Sequence, residues 1–434
     1  MLRQLTLCLA LFTAAAVTDR AQARDAGAPY GERLARAEAR WPDAAPAAPL
    51  MPAAPATDSD RPALELDDEA RNEIAQLEAR VRELEDGAGP YAVGLHEPLA
   101  DLARRYVSLG RPAQALALYQ RSLHVLRVNA GLGDPAQMAV LREMLRLHRA
   151  AGDRAALDDL YAYYYRLGWL LAGGPEGGDW QVALESLRWQ REWLRGERGD
   201  PSGRLLDLYQ RNADLIEAAD GAPFAVRRDL ALSQLRNLYL LRDRIVPLVE
   251  ERSSVLGPRP LPRQQPFPQD PGRERLLRIR RSAQAEGESL LEALLEDAPD
   301  ASERAALQRQ MGDWAQWNGN WYAAVEAWQA AIATLEAAGE TERIADWFGE
   351  PVELPDNGAF WQPAAEDVSL VRIRFRVSRR GLPRELDSAL LSGRDGARIV
   401  GARELRGVRF RPRFSDGEPV DSDSLERDYE VYPR

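Results

Sequence analysis

Histidine is the side chain best suited to trading protons near neutral pH, and this chain has three: His96, His124 and His148. They fall in separate stretches, with no HExxH motif and no pair at metal-ligand spacing. His148 occupies an apolar stripe, where an imidazole reads as core filling. The one cysteine, Cys8, lies in an apolar run near the start, so the rest of the chain has no thiolate ligand or disulfide. A Gly-x-Ser-x-Gly elbow, a Walker loop and a dinucleotide fingerprint are all absent from the sequence. The acidic doublets Asp67-Asp68 and Asp158-Asp159 are ordinary in a chain with 68 acidic residues. The clusters Tyr161, Tyr163, Tyr164, Tyr165 and Trp314, Trp317, Trp321, Trp328 fit core and capping better than a stacking platform. The sequence therefore predicts no catalytic residue, no metal ligand and no cofactor.

Binding chemistry is better represented. All 57 basic residues are arginine, and the net charge is -11, so the basic footprint of a nucleic-acid binder is missing. Arg142, Arg146 and Arg149 recur at near-helical spacing with Glu143 among them, and Arg104 precedes them. Guanidinium forks pair well with carboxylates. A clamp for an acidic peptide or a chain terminus is one reading of these four arginines, and a solvated arginine-rich face is the other.

The elements that would carry them follow from periodicity. From about residue 91 to 350 the pattern is helical, broken at Gly110, Gly133-Asp134-Pro135, Gly152, Gly173-Gly174-Pro175, Gly199-Asp200-Pro201 and the Pro-rich 258–271. Leu99, Leu102, Ala103 and Tyr106 form one stripe, Gly110 turns the chain, and Ala115, Tyr119 and Ser122 form the facing stripe. The frame returns as Leu141, Met144, Leu145 and His148, then Gly152, then Leu157, Tyr161 and Tyr164. It returns again as Met311, Gly312 and Ala315, then Gly319, then Ala324, Trp328 and Ala331. These hairpins resemble the tetratricopeptide repeat. The resemblance implies an α-solenoid with a concave surface lined by outward positions of each first helix. Those positions are Glu97, Asp101 and Arg104, then Arg142, Glu143, Arg146 and Arg149, then Arg309, Gln310, Asp313 and Gln316.

Three segments precede the solenoid. Residues 1–23 read as a secretory signal, with Arg3, an apolar run from Leu5 to Val17 and a small-x-small site at Ala21–Ala23. Residues 24–62 read as an Ala/Pro-rich linker. In 63–90, Ile74, Leu77, Val81 and Leu84 follow a 3-4-3 spacing, which fits either an oligomerising coiled-coil seam over 63–86 or one amphipathic helix packing on the next domain.

After Pro351 and Pro355, read as a linker, the period changes to two. Val371, Ile373, Phe375 and Val377 alternate with Arg372, Arg374 and Arg376, as in a half-buried strand. A turn at Arg379-Arg380-Gly381, a strand over 383–391, a helix stripe of Ala397, Val400, Gly401 and Leu405, and Val408–Phe414 follow, with a last strand from Leu425 to Tyr432. This order resembles the TonB C-terminal domain over about residues 364–434. The shared features are Gly381 at its turn, Ser388 to Ser392, Arg409-Phe410-Arg411-Pro412, Gly417 and Pro419-Val420. Trp361-Gln362-Pro363 only hints at the usual Tyr-Pro start. The resemblance implies docking of an extended partner segment on an edge strand. The expected edge is the last strand, with Glu426, Asp428 and Glu430 on one face, and such charges can also block edge pairing.

The expected fold is thus mostly α, a tetratricopeptide-like helical-hairpin solenoid over 91–350 followed by a small α+β, TonB-C-like domain over 356–434 that folds alone. The expected function is a periplasmic scaffold for protein or peptide partners, including an outer-membrane or envelope-complex partner. The alternatives are an inner-membrane-anchored, TonB-like energy transducer and an envelope enzyme with an unrecognised site.

Overall fold

The structure is a computed structural model that describes residues 30–31, 33–37, 68–171, 180–196, 202–255, 271–360 and 368–432. The expected signal, most of the 24–62 segment, Trp361-Gln362-Pro363 and most of the 258–271 insertion lie outside the described residues. The chain is mostly helical, with a small antiparallel sheet built largely from its C-terminal residues. It divides into two compact units, one of residues 1–23 and 48–189, the other of residues 24–47 and 190–434.

The first unit contains α1 (Asp68–Ala88), α2 (His96–Ser108), α3 (Pro112–Ala130), α4 (Ala136–Ala150), α5 (Arg154–Leu171) and the start of α6 (Trp180–Gly196). Leu99 and Ala103 on α2 and Ala115 on α3 are fully buried, and Tyr119 nearly so. The expected stripes therefore face one another. The seam residue Val81 of α1 is buried with Leu95, Leu99 and Val125. That helix thus packs on the hairpin beside it.

In the second unit the helices are α7 (Ser202–Ala218), α8 (Phe224–Val255), α9 (Pro271–Glu296), α10 (Ala301–Trp317), α11 (Trp321–Ala337) and α12 (Thr341–Phe348). The α10/α11 hairpin repeats the turn chemistry of α2/α3 and α4/α5. Gly110, Gly152 and Gly319 all take left-handed backbone, with φ of 69°, 68° and 85°. The amide that follows each donates to the carbonyl five residues back: Arg111 to Tyr106 at 2.9 Å, Asp153 to His148 at 3.0 Å and Asn320 to Ala315 at 2.9 Å. This Schellman closure satisfies the last carbonyls of each first helix, and glycine enters the left-handed region without a Cβ penalty. At its start, α10 is capped by the Asp300 carboxylate, which accepts from Glu303 N–H at 2.9 Å.

The sheet joins β1 (Leu34–Arg36), β3 (Ser369–Val377), β4 (Pro383–Ser392) and β8 (Leu425–Val431) in the antiparallel order β1-β8-β3-β4. Short ladders pair β2 (Val352–Leu354) with β5 (Arg409–Arg411) and β6 (Arg413–Ser415) with β7 (Glu418–Val420). The helix α13 (Ala397–Gly407) covers one face through Ala397, Gly401 and Leu405. Phe375 sits 5.6 Å from Phe410 and 6.3 Å from Tyr429, ring to ring, within this core.

Three features differ from the sequence reading. Pro351 and Pro355 flank a strand rather than a linker. Proline is tolerated at strand ends, and the residues between them pair with β5. Leu354 is fully buried beside Trp328, Phe348 and Phe414. Leu354 and Phe414 thus join the core of the α10/α11 hairpin, while β3, β8 and the covering helix pack a second core of their own, and a cut near residue 355 would divide the first of these. Residues 34–36, inside the expected linker, form a strand. They pair with β8, so the last strand lies inside the sheet and not at its edge.

The hairpin register makes a direct prediction. A Cβ at Gly312 would run into the Trp328 indole, whereas one at Gly203 meets nothing. Gly312→Ala should lower unfolding stability by ~1–3 kcal/mol through overpacking. Gly203→Ala should leave it equal or raise it by up to ~1 kcal/mol. Urea melts with the same midpoint for both variants would contradict this packing.

Candidate functional site

Each first helix can be numbered back from its turn glycine. Six residues before it stand Arg104, Arg146 and Asp313; nine before stand Asp101, Glu143 and Gln310; three before stand Val107, Arg149 and Gln316. On α2 and α4 the sixth and ninth positions carry charge, with Arg104 and Arg146 exposed. Arg104 pairs with Asp101 one turn away. Arg146 donates to the Glu143 carboxylate at 3.0 and 2.5 Å. Both pairs act electrostatically on the Tyr119 hydroxyl of α3, which is buried and has no hydrogen-bond partner. Burial, then Glu143, pushes the Tyr119 hydroxyl up to about 12, while Arg104 and Arg146 pull the other way. Arg104 and Arg146 therefore both lie within electrostatic range of the Tyr119 hydroxyl.

The other two expected groove arginines turn toward α5. Arg142 donates through Nε to the Tyr164 hydroxyl at 2.7 Å. Arg149 donates to the Tyr161 hydroxyl at 2.8 Å and lies over the Trp189 ring. His148 is buried and faces the Asp153 carboxylate at 3.2 Å.

On α10 the same face is covered. Arg309, Gln310, Asp313 and Gln316, expected to line a groove, are all buried. Asp313 accepts from Arg411 at 2.7 Å and from the Trp328 indole at 3.0 Å. Gln316 donates to the carbonyls of Arg380 at 2.9 Å and Phe410 at 3.2 Å. Arg411 completes its fork on the Trp347 carbonyl at 3.1 Å and Asp356 at 3.2 Å. The groove positions of the last hairpin are thus filled by the chain's own C-terminal strands.

The expected edge residues also have partners within the chain. Asp428 takes a two-pronged contact from Arg372 at 2.7 and 2.9 Å, which holds its carboxyl below the usual range. Glu426 accepts from Arg374 at 2.9 Å. Glu430 accepts from the Tyr432 hydroxyl at 2.9 Å, although burial moves its carboxyl upward. Across β8, the inner face holds a second charged cluster. Glu353 is fully buried and accepts from Arg427 at 2.8 Å and Tyr429 at 2.6 Å. Burial opposes its ionisation, yet Arg427 and then Arg36 hold it below its ordinary value.

Sequence reasoning missed Asp313–Arg411, Glu353 and the strand at 34–36. One signal for the strand was available: residues 30–41 are free of proline inside a Pro-rich segment. The surface carries open depressions, two of which are lined by charged residues. One is lined by Arg242, Leu277, Arg280, Arg281 and Gln284, the other by Glu73, Gln76, Leu77, Asp101, Arg104, Arg105 and Ser108. No group of three or more potential metal ligands occurs among the described residues. No protein-family model matches the chain, and a search of curated proteins finds no relative.

The buried carboxylates give a pH signature. Burial pushes Asp356 up to about 6 against the pull of Arg411 and Arg309, with Asp313 adding to the rise. Its native value then lies above the ~3.9 of an unfolded aspartate, so the native state holds the proton more tightly. Stability from this group is full below pH ~4 and is lost as pH rises through about 6. The wild type should lose up to ~3 kcal/mol relative to Asp356→Asn across that window. Paired thermal melts from pH 4 to 7 test it, and a constant difference between the two proteins would contradict it.

Proposed function

We propose that the chain is a periplasmic interaction scaffold whose first two hairpins, of tetratricopeptide type, take an acidic segment of a partner protein across α2 and α4. The observation that supports this reading is the pairing on α10. There, an aspartate six residues before the turn glycine receives an arginine from a docked strand. At the same place α2 and α4 carry exposed Arg104 and Arg146. The charge is inverted, so the complementary ligand group is a carboxylate.

The periplasmic assignment rests on the signal-like sequence of residues 1–23. Among the described residues no helix is long and apolar enough to cross a membrane. The TonB-like reading of the C-terminal strands rests on their sequence and element order. An energy transducer would use that domain as a mobile arm, which the buried Asp313–Arg411 pair disfavours.

The test is capture of periplasmic partners by the immobilised full chain and by an Arg104→Glu/Arg146→Glu variant. The wild type should retain specific partners that elute with moderate salt. The variant should retain at least about tenfold less, since like charges across an interface cost more than the ~1.4 kcal/mol this requires. Its circular dichroism should match the wild type, because both arginines are exposed. Equal retention by a folded variant would contradict the reading.

A further inference from the structure

In a chain of net charge -11, the depression between α8 and α9 is lined by three arginines and no carboxylate. Arg242 comes from α8, and Leu277, Arg280, Arg281 and Gln284 from α9. The α9 residues recur at three and four positions, so they share one helix face. Elsewhere, exposed helical arginines pair with a carboxylate one turn away: Arg80 with Glu83, Arg104 with Asp101, Arg146 with Glu143 and Arg343 with Glu340. Around the depression the sequence withholds that partner. Three and four residues to either side of Arg280 stand Leu276, Leu277, Ala283 and Gln284; for Arg281 they are Leu277, Arg278, Gln284 and Ala285.

The nearest acids in the sequence are engaged by other groups. Asp243, beside Arg242, pairs with Arg195 at 3.0 Å. Glu286 accepts from the Tyr209 hydroxyl at 2.8 Å, and Glu288 from the Gln284 amide at 3.1 Å. Among the described residues, none of the three arginines forms an ion pair with a carboxylate. Two of them are nonetheless held in place. Arg242 is half-buried and donates to the side-chain carbonyl of Asn318 at the end of α10. Arg281 donates through Nε to the Leu277 carbonyl at 3.2 Å. Burial, and then the Arg280 charge, holds the Arg242 guanidinium below its ordinary value. Like charges therefore converge where nothing in the chain neutralises them, and an anion there relieves their repulsion.

The number of guanidinium groups selects the kind of anion. A carboxylate is matched by a single guanidinium fork. A phosphate group presents more acceptor oxygens and up to about two charges, so it can engage several forks at once. The depression is open and spans about 460 Å³, a small-molecule size with room for more than one such group. We propose that it binds a small ligand carrying two or more phosphate groups, with Arg242, Arg280 and Arg281 as the cationic contacts. The site lies within the second unit and shares no residue with the α2/α4 face. The inference stands whether or not that face binds a partner.

The probe is inorganic pyrophosphate, titrated into the full chain at low salt and followed by calorimetry. The wild type should show saturable binding at a single site. Arg280→Gln/Arg281→Gln keeps two good helix formers and should weaken that binding at least about tenfold. Arg304→Gln/Arg406→Gln removes the same charge at exposed positions outside the depression, and should leave the affinity within about twofold of wild type. If the first double variant does not fold, Arg281→Gln alone, at an exposed position, should weaken binding by about threefold or more. The wild type should not be retained by vesicles containing phosphatidylglycerol. Retention by those vesicles without pyrophosphate binding would place the phosphate on a membrane and overturn the proposal. So would the absence of saturable binding, or equal weakening in the two double variants.

Discussion

Among the described residues, the interaction that makes the heaviest demand on its surroundings is the buried ion pair between Asp313 and Arg411. Neither side chain reaches solvent to any useful extent, at 2% and 1% exposure. Taking two charges out of water costs several kcal/mol per ion, and only good geometry with further hydrogen bonds offsets it. Here the offset is nearly complete: the Trp328 indole holds one oxygen of Asp313, and the guanidinium fork spans Asp313, Asp356 and the Trp347 carbonyl. Such a network works only if α10, α11, the end of α12 and β5 are all in place. It therefore ties the last hairpin to the C-terminal strands more strictly than apolar packing could, since a slipped register would leave a buried charge without its partner.

The coupling changes what the C-terminal strands can be. Their order, and the alternation of Val371, Ile373, Phe375 and Val377, were legible in the sequence because a half-buried strand imposes period two. So were the three hairpins, because the left-handed corner admits glycine far more readily than other residues and close crossings demand small ones. The dependence of the strands on the hairpin was not legible. Asp313 and Gln316 occupy positions that face water in an isolated hairpin, and a polar residue there looks the same whether solvent or another strand meets it. Leu34 was hidden for a related reason: a strand of three residues is too short to show a period.

The arginines of the first two hairpins were legible as a charged surface, but their grouping was not. Three arginines at near-helical spacing, Arg142, Arg146 and Arg149, suggest one stripe. Arg142 and Arg149 instead lie against Tyr164 and Tyr161, whereas Arg104 and Arg146 pair with Asp101 and Glu143 on their own helices. The distinction depends on tyrosines contributed by neighbouring helices, which linear spacing does not reveal. In one chain the same helix face thus appears in two states. On α10 it is closed by an internal strand that supplies a cation, and on α2 and α4 it is open and presents cations of its own.

Whether the hairpin and sheet form one cooperative element is the claim on which this account turns. Native-state hydrogen exchange of the full chain and of Arg411→Met measures it directly. Loss of the pair should lower protection in α10, α11 and β3 together and by similar free energies, while α2 to α5 keep their wild-type protection. Loss confined to β3, with α10 and α11 exchanging as in wild type, would show that the C-terminal strands are a separate module and contradict the account.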